Sequence, residues 1–255
     1  MTQIRRTVVR DDVRLAVTDS GGDGAAMVLI HGLTRTQREW DAVAPQLVEE
    51  SLRVVTYDQR CHGSSSRSGD HSWSAFVGDL RALLDDLELH DVTLVGHSIG
   101  AGVALQVAVE AESCRTLVLL DGAFPVPEPK PDGGRLHMPR TVWTLSKRTL
   151  KDPFRRIHSL SASEVREVGN DYRSQYPAFD MALRSLECPT TLILGSQMEF
   201  GRHGPSFQAA RRETAARVIQ SNPRVHVQWI GARHDMIQTQ PQAIAHAIIR
   251  LQALA

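Results

Sequence analysis

The chain has 255 residues, 42% hydrophobic and 23% charged, with 29 basic side chains against 29 acidic ones. That composition is close to globular averages and excludes disorder as the overall state, while the length suits a single large domain with a sizeable core. Zero formal charge argues against a general nucleic-acid or anionic-membrane binder, which would carry a basic surplus. The longest aliphatic run, Leu117 to Leu120, is far short of the roughly 20 apolar residues of a membrane span. Charges at Arg5, Arg6, Arg10, Asp11 and Asp12 interrupt the N-terminal stretch, which is not expected to be a secretory signal. Cys61, Cys114 and Cys188 are widely spaced and form no C-x-x-C pair. They are expected to be buried free thiols in a reducing cytoplasm, not a disulfide framework or a zinc site.

In chain order, short β-rich runs alternate with stretches of helical period. Strands are expected at Arg14–Thr18, Met27–Ile30 and Arg53–Tyr57, with a helix over Trp40–Glu50 before the last of these. Ser74–Leu87 carries Phe76, Val77, Leu80, Leu83, Leu84 and Leu87 at helical spacing. Strand Val92–Val95, helix Ile99–Ala111 and strand Leu117–Leu120 follow. Beyond a long interruption come strand Thr191–Leu194, helix Ser206–Gln220, strand Val225–Ile230 and helix Pro241–Leu254. Strands that read as unbroken apolar runs between helices imply an α/β fold, a mostly parallel sheet covered on both faces. Residues 122–187 break the pattern with prolines at 125, 127, 129, 131, 139 and 153, then aromatics at Trp143, Phe154, Tyr172, Tyr176 and Phe179. They are expected to form a helical cap inserted into a core made of residues 1–121 and 188–255.

The chemistry concentrates at Gly96-His97-Ser98-Ile99-Gly100, between an expected strand and an expected helix. This is the G-x-S-x-G nucleophile elbow. Its serine occupies a tight turn with strained torsions, the flanking glycines leave room for the turn, and the hydroxyl is lifted clear of the sheet. The first free amides of the following helix then point at whatever carbonyl Ser98 attacks. Small residues at Gly100, Ala101 and Gly102 let the helix lie close on the strands.

With Val28-Leu29-Ile30-His31-Gly32-Leu33-Thr34, an apolar strand ending in His-Gly, the chain resembles the α/β-hydrolase superfamily. The resemblance implies that the amides of Leu33 and Ile99 form the oxyanion hole and that His31 orders the loop backbone. Asp58-Gln59-Arg60-Cys61-His62-Gly63-Ser64-Ser65 resembles the family's D-x-R-G-x-G-x-S turn, with Cys61 where glycine is usual. Asp58 and Arg60 are expected to be structural there. His234, in Gly231-Ala232-Arg233-His234-Asp235 after the last strand, stands at the family's catalytic histidine. A free serine hydroxyl does not ionise at neutral pH, so a general base must take its proton as attack proceeds. His97 is expected to pack or hydrogen-bond locally.

The triad acid is open. The family most often places it after the strand equivalent to Thr191–Leu194, where this chain has Met198, with Glu199 one residue later. Some branches draw it from the end of the preceding strand, which here offers Asp121. Asp121 is preferred, Glu199 is the alternative and Asp235 a lesser one. The resemblance covers residues 14–121 and 190–252; the insertion carries none of it.

These readings imply a metal-free, cofactor-free serine hydrolase acting on a carboxylic ester, lactone or thioester of a small organic molecule. Trp143 and Tyr176 are candidate walls of the substrate pocket, and both equally suit the core of the cap. The competing expectations are a hydrolase-fold receptor with little turnover, or a fold-sharing enzyme of C–C cleavage or cyclisation. Histidines scattered over separate loops and the lack of an H-E-x-x-H pattern disfavour a metallohydrolase.

Overall fold

The computed structural model describes residues 3–110, 114–124, 158–197 and 204–252. Eight strands build the sheet: β1 (Ile4–Arg10), β2 (Val13–Asp19), β3 (Ala26–Ile30), β4 (Arg53–Tyr57), β5 (Val92–His97), β6 (Cys114–Leu120), β7 (Thr190–Gly195) and β8 (Val225–Ile230). Their order is β1-β2-β4-β3-β5-β6-β7-β8; the first two pairings are antiparallel and the rest parallel. This is the expected α/β class. From β3 the chain moves outward to β4, then returns to β5 on the other side of β3. That reversal opens a crevice at the carboxyl ends of β3 and β5, where ligands of open α/β sheets bind.

The helices are α1 (Ala44–Glu49), α2 (Trp73–Asp86), α3 (Ile99–Glu110), α4 (Ala162–Ser174), α5 (Tyr176–Ser185), α6 (Gly204–Ser221), α7 (Met236–Thr239) and α8 (Pro241–Gln252). Alternate residues of the strands face opposite ways, which splits the core in two. On β5 and β6, Leu94, Leu117 and Leu119 pack with α2 and α3, and Val95, Val118 and Leu120 with α1 and α8. Helices α4 and α5 lie between β6 and β7 in sequence. They attach to the core through Asp171, which accepts the Trp73 N–H at 2.7 Å, and through Arg67–Glu164 and His71–Glu167 pairs at 2.6 and 2.9 Å.

Two expectations require correction. The helix over Trp40–Glu50 is instead a short 3₁₀ turn, Gln37–Trp40, followed by α1 from Ala44. Pro45 explains the break, because proline fits the first turn of a helix and not its interior. Strand β1 was not anticipated; its residues are mostly exposed, three of the seven are arginines, and it pairs only at the sheet edge. Trp143, Phe154, Met198 and Glu199 lie outside the described residues.

Candidate active site

Ser98 sits between β5 and α3 with φ of 55°, in the left-handed region that a β-carbon makes unfavourable. Its backbone is held there by Ser98 N–H donating to Leu120 O at 2.9 Å and Ala101 N–H donating to Ser98 O at 3.1 Å. A β-carbon on Gly96 would run into the Gly100 carbonyl, and one on Gly100 would lie 2.5 Å from the Ile30 carbonyl. Both sites require glycine, and that is what seats α3 against the sheet.

His234 follows β8 and faces Ser98, its Nε2 3.0 Å from the Ser98 Oγ. Its Nδ1 lies 2.7 Å from Asp121 Oδ2. The structure thus brings Ser98, His234 and Asp121 together from the carboxyl ends of β5, β8 and β6. Asp121 is also left-handed, with φ of 46°. Its second oxygen, Oδ1, accepts from the Gly195 N–H at 3.2 Å and from the buried guanidinium of Arg211. Burial alone would raise this carboxyl, but His234, Arg211 and the Gly195 amide hold it below the usual carboxylate range.

The loop after β3 carries Gly32 and Leu33. Among the described residues the Leu33 N–H has no hydrogen-bond partner, and the Ile99 N–H belongs to the first turn of α3, where a helix leaves its amides open. Two buried histidines order this loop. His31 Nε2 accepts from the Gln59 N–H at 3.0 Å, so its Nδ1 carries the proton and donates to Gly32 O at 2.8 Å. His62 Nε2 accepts from the Thr34 N–H at 3.3 Å, and its Nδ1 donates to Arg60 O at 2.8 Å. Burial pushes both down, His62 to about 3, and keeps them neutral.

Asp58 and Arg60 brace the neighbouring turn. Asp58 accepts from the amides of Gln37 and Ser64, each at 2.8 Å, and Arg60 forks onto Asp79 at 2.6 Å. Cys61, where the family pattern has glycine, is buried with φ of 62°, so the departure puts a side chain on a backbone geometry that favours glycine. His97 differs from expectation. Its contacts are not local, because Nε2 donates to the backbone oxygen of His234 at 2.9 Å, 137 residues away.

A cavity of about 360 Å³ opens over Ser98 and His234, walled by Phe124, Tyr172, Tyr176 and Phe207. Tyr172 is more than a wall: its hydroxyl accepts from the Ala123 N–H at 2.7 Å and donates to Ser98 O at 3.4 Å. Sequence reasoning missed this role, along with that of Arg211. The sequence offered only one hint, the polar end of an aromatic residue at Tyr172. Among the described residues, no group of three or more His, Cys, Asp or Glu side chains could hold a metal ion.

The chain is similar to several known proteins. Over 130 residues the chain is 36% identical to a non-heme chloroperoxidase of Kitasatospora aureofaciens, covering 49% of this chain and 47% of that protein. It is 37% identical over 98 residues to an sn-1-specific diacylglycerol lipase of Mus musculus, covering 38% and 32%. The chain spans about a quarter to a half of the length of the curated relatives it matches. A carboxylesterase structure from Nitrososphaera gargenis superimposes with a TM-score of 0.70 at 19% identity, covering 98% of each chain. That likeness concerns the fold. The model of the alpha/beta hydrolase family matches residues 27–247, from β3 through the elbow and the histidine loop into α8, and the chain belongs to that family.

Proposed function

We propose that this protein is a serine esterase or lactonase of small organic molecules, with thioesters within its chemical reach, working through an acyl-enzyme on Ser98. The observation that carries this reading is the chain of contacts Ser98 Oγ–His234 Nε2 at 3.0 Å and His234 Nδ1–Asp121 Oδ2 at 2.7 Å. In acylation, Ser98 Oγ bonds to the acyl carbon while its proton passes to His234 Nε2. The carbonyl oxygen takes up negative charge between the amides of Leu33 and Ile99, and each such donor is worth about 3–4 kcal/mol in the transition state. Asp121 fixes the tautomer of His234 and stabilises the imidazolium. The alcohol or thiol leaves with the proton from His234. Water then attacks the acyl-enzyme, gives its proton to the same nitrogen and regenerates Ser98.

Residues 122–187 act as the cap in this reading, with Trp143 and Tyr176 among the residues that set substrate size. The similarity to a diacylglycerol lipase supports hydrolysis of an acyl group and leaves its identity open. The function needs no metal or cofactor, and its partner is a small-molecule substrate, not a nucleic acid or a membrane. The free thiols of Cys61, Cys114 and Cys188 are in keeping with a cytoplasmic setting.

The deciding experiment is labelling with a fluorophosphonate probe together with turnover of short p-nitrophenyl esters. The probe is expected on the peptide containing Gly96–Gly100, and Ser98→Ala is expected to abolish both labelling and turnover. Labelling at Ser64, Ser65 or Ser196, or ester turnover that survives Ser98→Ala, refutes the assignment.

A further inference from the structure

The site holds a second buried carboxylate–imidazole pair that the acyl-transfer steps do not use. Glu39, on the turn Gln37–Trp40, has a fully buried side chain, and that of His97 is 3% exposed. One Glu39 oxygen accepts the Gly32 N–H at 2.8 Å, immediately before Leu33. The other accepts the side-chain amide of Gln238 at 2.8 Å, on α7 just after His234. That same oxygen lies 3.1 Å from His97 Nδ1, without the alignment of a hydrogen bond. Arg35 approaches the same oxygen at 3.7 Å. Burial opposes the charge on Glu39, yet His97 and the two donors hold it well below the usual carboxylate range.

The far side of His97 completes the link. The His234 carbonyl can only accept, so His97 Nε2 carries a hydrogen and donates it at 2.9 Å. The two imidazole rings lie 4.8 Å apart. One carboxylate and one ring therefore touch the loop before the oxyanion amide, the residue before the nucleophile, and both the backbone and the following helix of the general base.

We propose that Glu39 and His97 are positioning residues, a clamp that joins the oxyanion loop, the nucleophile elbow and the His234 loop in catalytic register. The inference rests on the acyl-enzyme reading and adds to it the means by which three separately folded loops hold their relative distances. Neither residue reaches the reacting atoms. The effect falls on the placement of His234 Nε2 and the Leu33 amide, and misplacement on the order of 1 Å can cost about 100-fold in rate. Because those contacts develop in the transition state, kcat falls and KM stays.

The test uses the full chain, fluorophosphonate labelling rates and p-nitrophenyl acetate kinetics, with melting curves to find a temperature at which every variant is folded. His97→Leu keeps bulk and removes the donor to the His234 carbonyl; His97→Gln keeps a donor of similar reach. His97→Leu is expected to lower kcat and labelling by about 10–100-fold with KM within about twofold, and His97→Gln to recover most of that loss. Glu39→Gln is expected to slow the wild-type background several-fold and to add little in the His97→Leu background, since both act through one link. Equal losses in His97→Leu and His97→Gln would reduce the ring to packing and overturn the clamp. Should His97→Leu not fold, Glu39→Gln decides alone, and a wild-type labelling rate in that variant overturns the clamp. A wild type that resists the probe refutes the acyl-enzyme reading and the clamp with it, whereas a labelled wild type with indifferent variants refutes the clamp only.

Discussion

Asp121→Asn is a sharp probe of the site because the surroundings dictate how the amide must lie. Asp121 Oδ1 faces two donors, the Gly195 N–H at 3.2 Å and the Arg211 guanidinium, and neither can accept a hydrogen bond there. An asparagine must keep its carbonyl on that side, which turns its NH₂ toward His234 Nδ1. His234 then accepts at Nδ1 and carries its proton on Nε2, aimed at Ser98 Oγ, where it cannot act as a base. To react, the ring must shift its proton back to Nδ1 and set donor against donor, costing about 1–3 kcal/mol. The imidazolium also loses a charge-assisted bond worth about 1.5–3 kcal/mol. Together about 3–6 kcal/mol is lost, or a fall in kcat of roughly 10²–10⁴. KM should hardly move, while Arg211 keeps an acceptor but loses its buried counter-charge, so the melting temperature should fall. Steady-state ester hydrolysis with a parallel melting curve is the assay. A kcat within about tenfold of wild type would refute the tautomer argument, and a larger loss in Glu199→Gln than in Asp121→Asn would move the acid to Glu199.

Tyr172→Phe leaves the buried Ala123 N–H without its acceptor; it is expected to lower stability by about 1–3 kcal/mol and to slow even acetate turnover, as denaturant melts and kinetics would show. Tyr176→Ala, on the cavity wall, should change the ratio of rates on bulky and small esters more than it changes acetate turnover; equal losses on all substrates would argue against a wall role. Acid stability should fall as pH drops from about 6.5 toward 3, because the unfolded chain binds protons in that window that buried His62, pushed down to about 3, does not. His62→Gln should flatten this slope in denaturant titrations at several pH values, and an unchanged slope would show that His62 does not contribute to it.

The sheet was legible because its central strands are buried on both faces and read as apolar runs: Ala26–Ile30, Val92–His97 and Thr190–Gly195 are nearly all buried. The edge strand β1 has no such run, and only Val8 in it is fully covered. Ser98 and His234 were legible from local context, since each lies in a short motif at a strand end. Asp121 was preferred through the family resemblance, with Met198 at the usual acid position and Glu199 left open, and its partner Arg211 was invisible because 90 residues separate them. Glu39 and His97 were illegible as a pair for the same reason. Each is unremarkable in its own segment, and their meeting depends on how three loops converge over the carboxyl ends of β3, β5 and β8.

The tyrosine hydroxyl that reaches Ser98 has a consequence for how new specificities can arise on this scaffold. Pocket walls of enzymes can drift when they are mechanically separate from the reacting groups, since a change of shape then leaves the rate intact. Phe207 lines the cavity from α6, an element apart from the turn that carries Ser98. Tyr172 is not separate in this sense, because it is bonded to both Ser98 O and Ala123 N. A lineage, or a directed-evolution campaign, that explores substrates through these walls should therefore accept substitutions at Phe207 readily and reject them at Tyr172, where selectivity and turnover are inherited together.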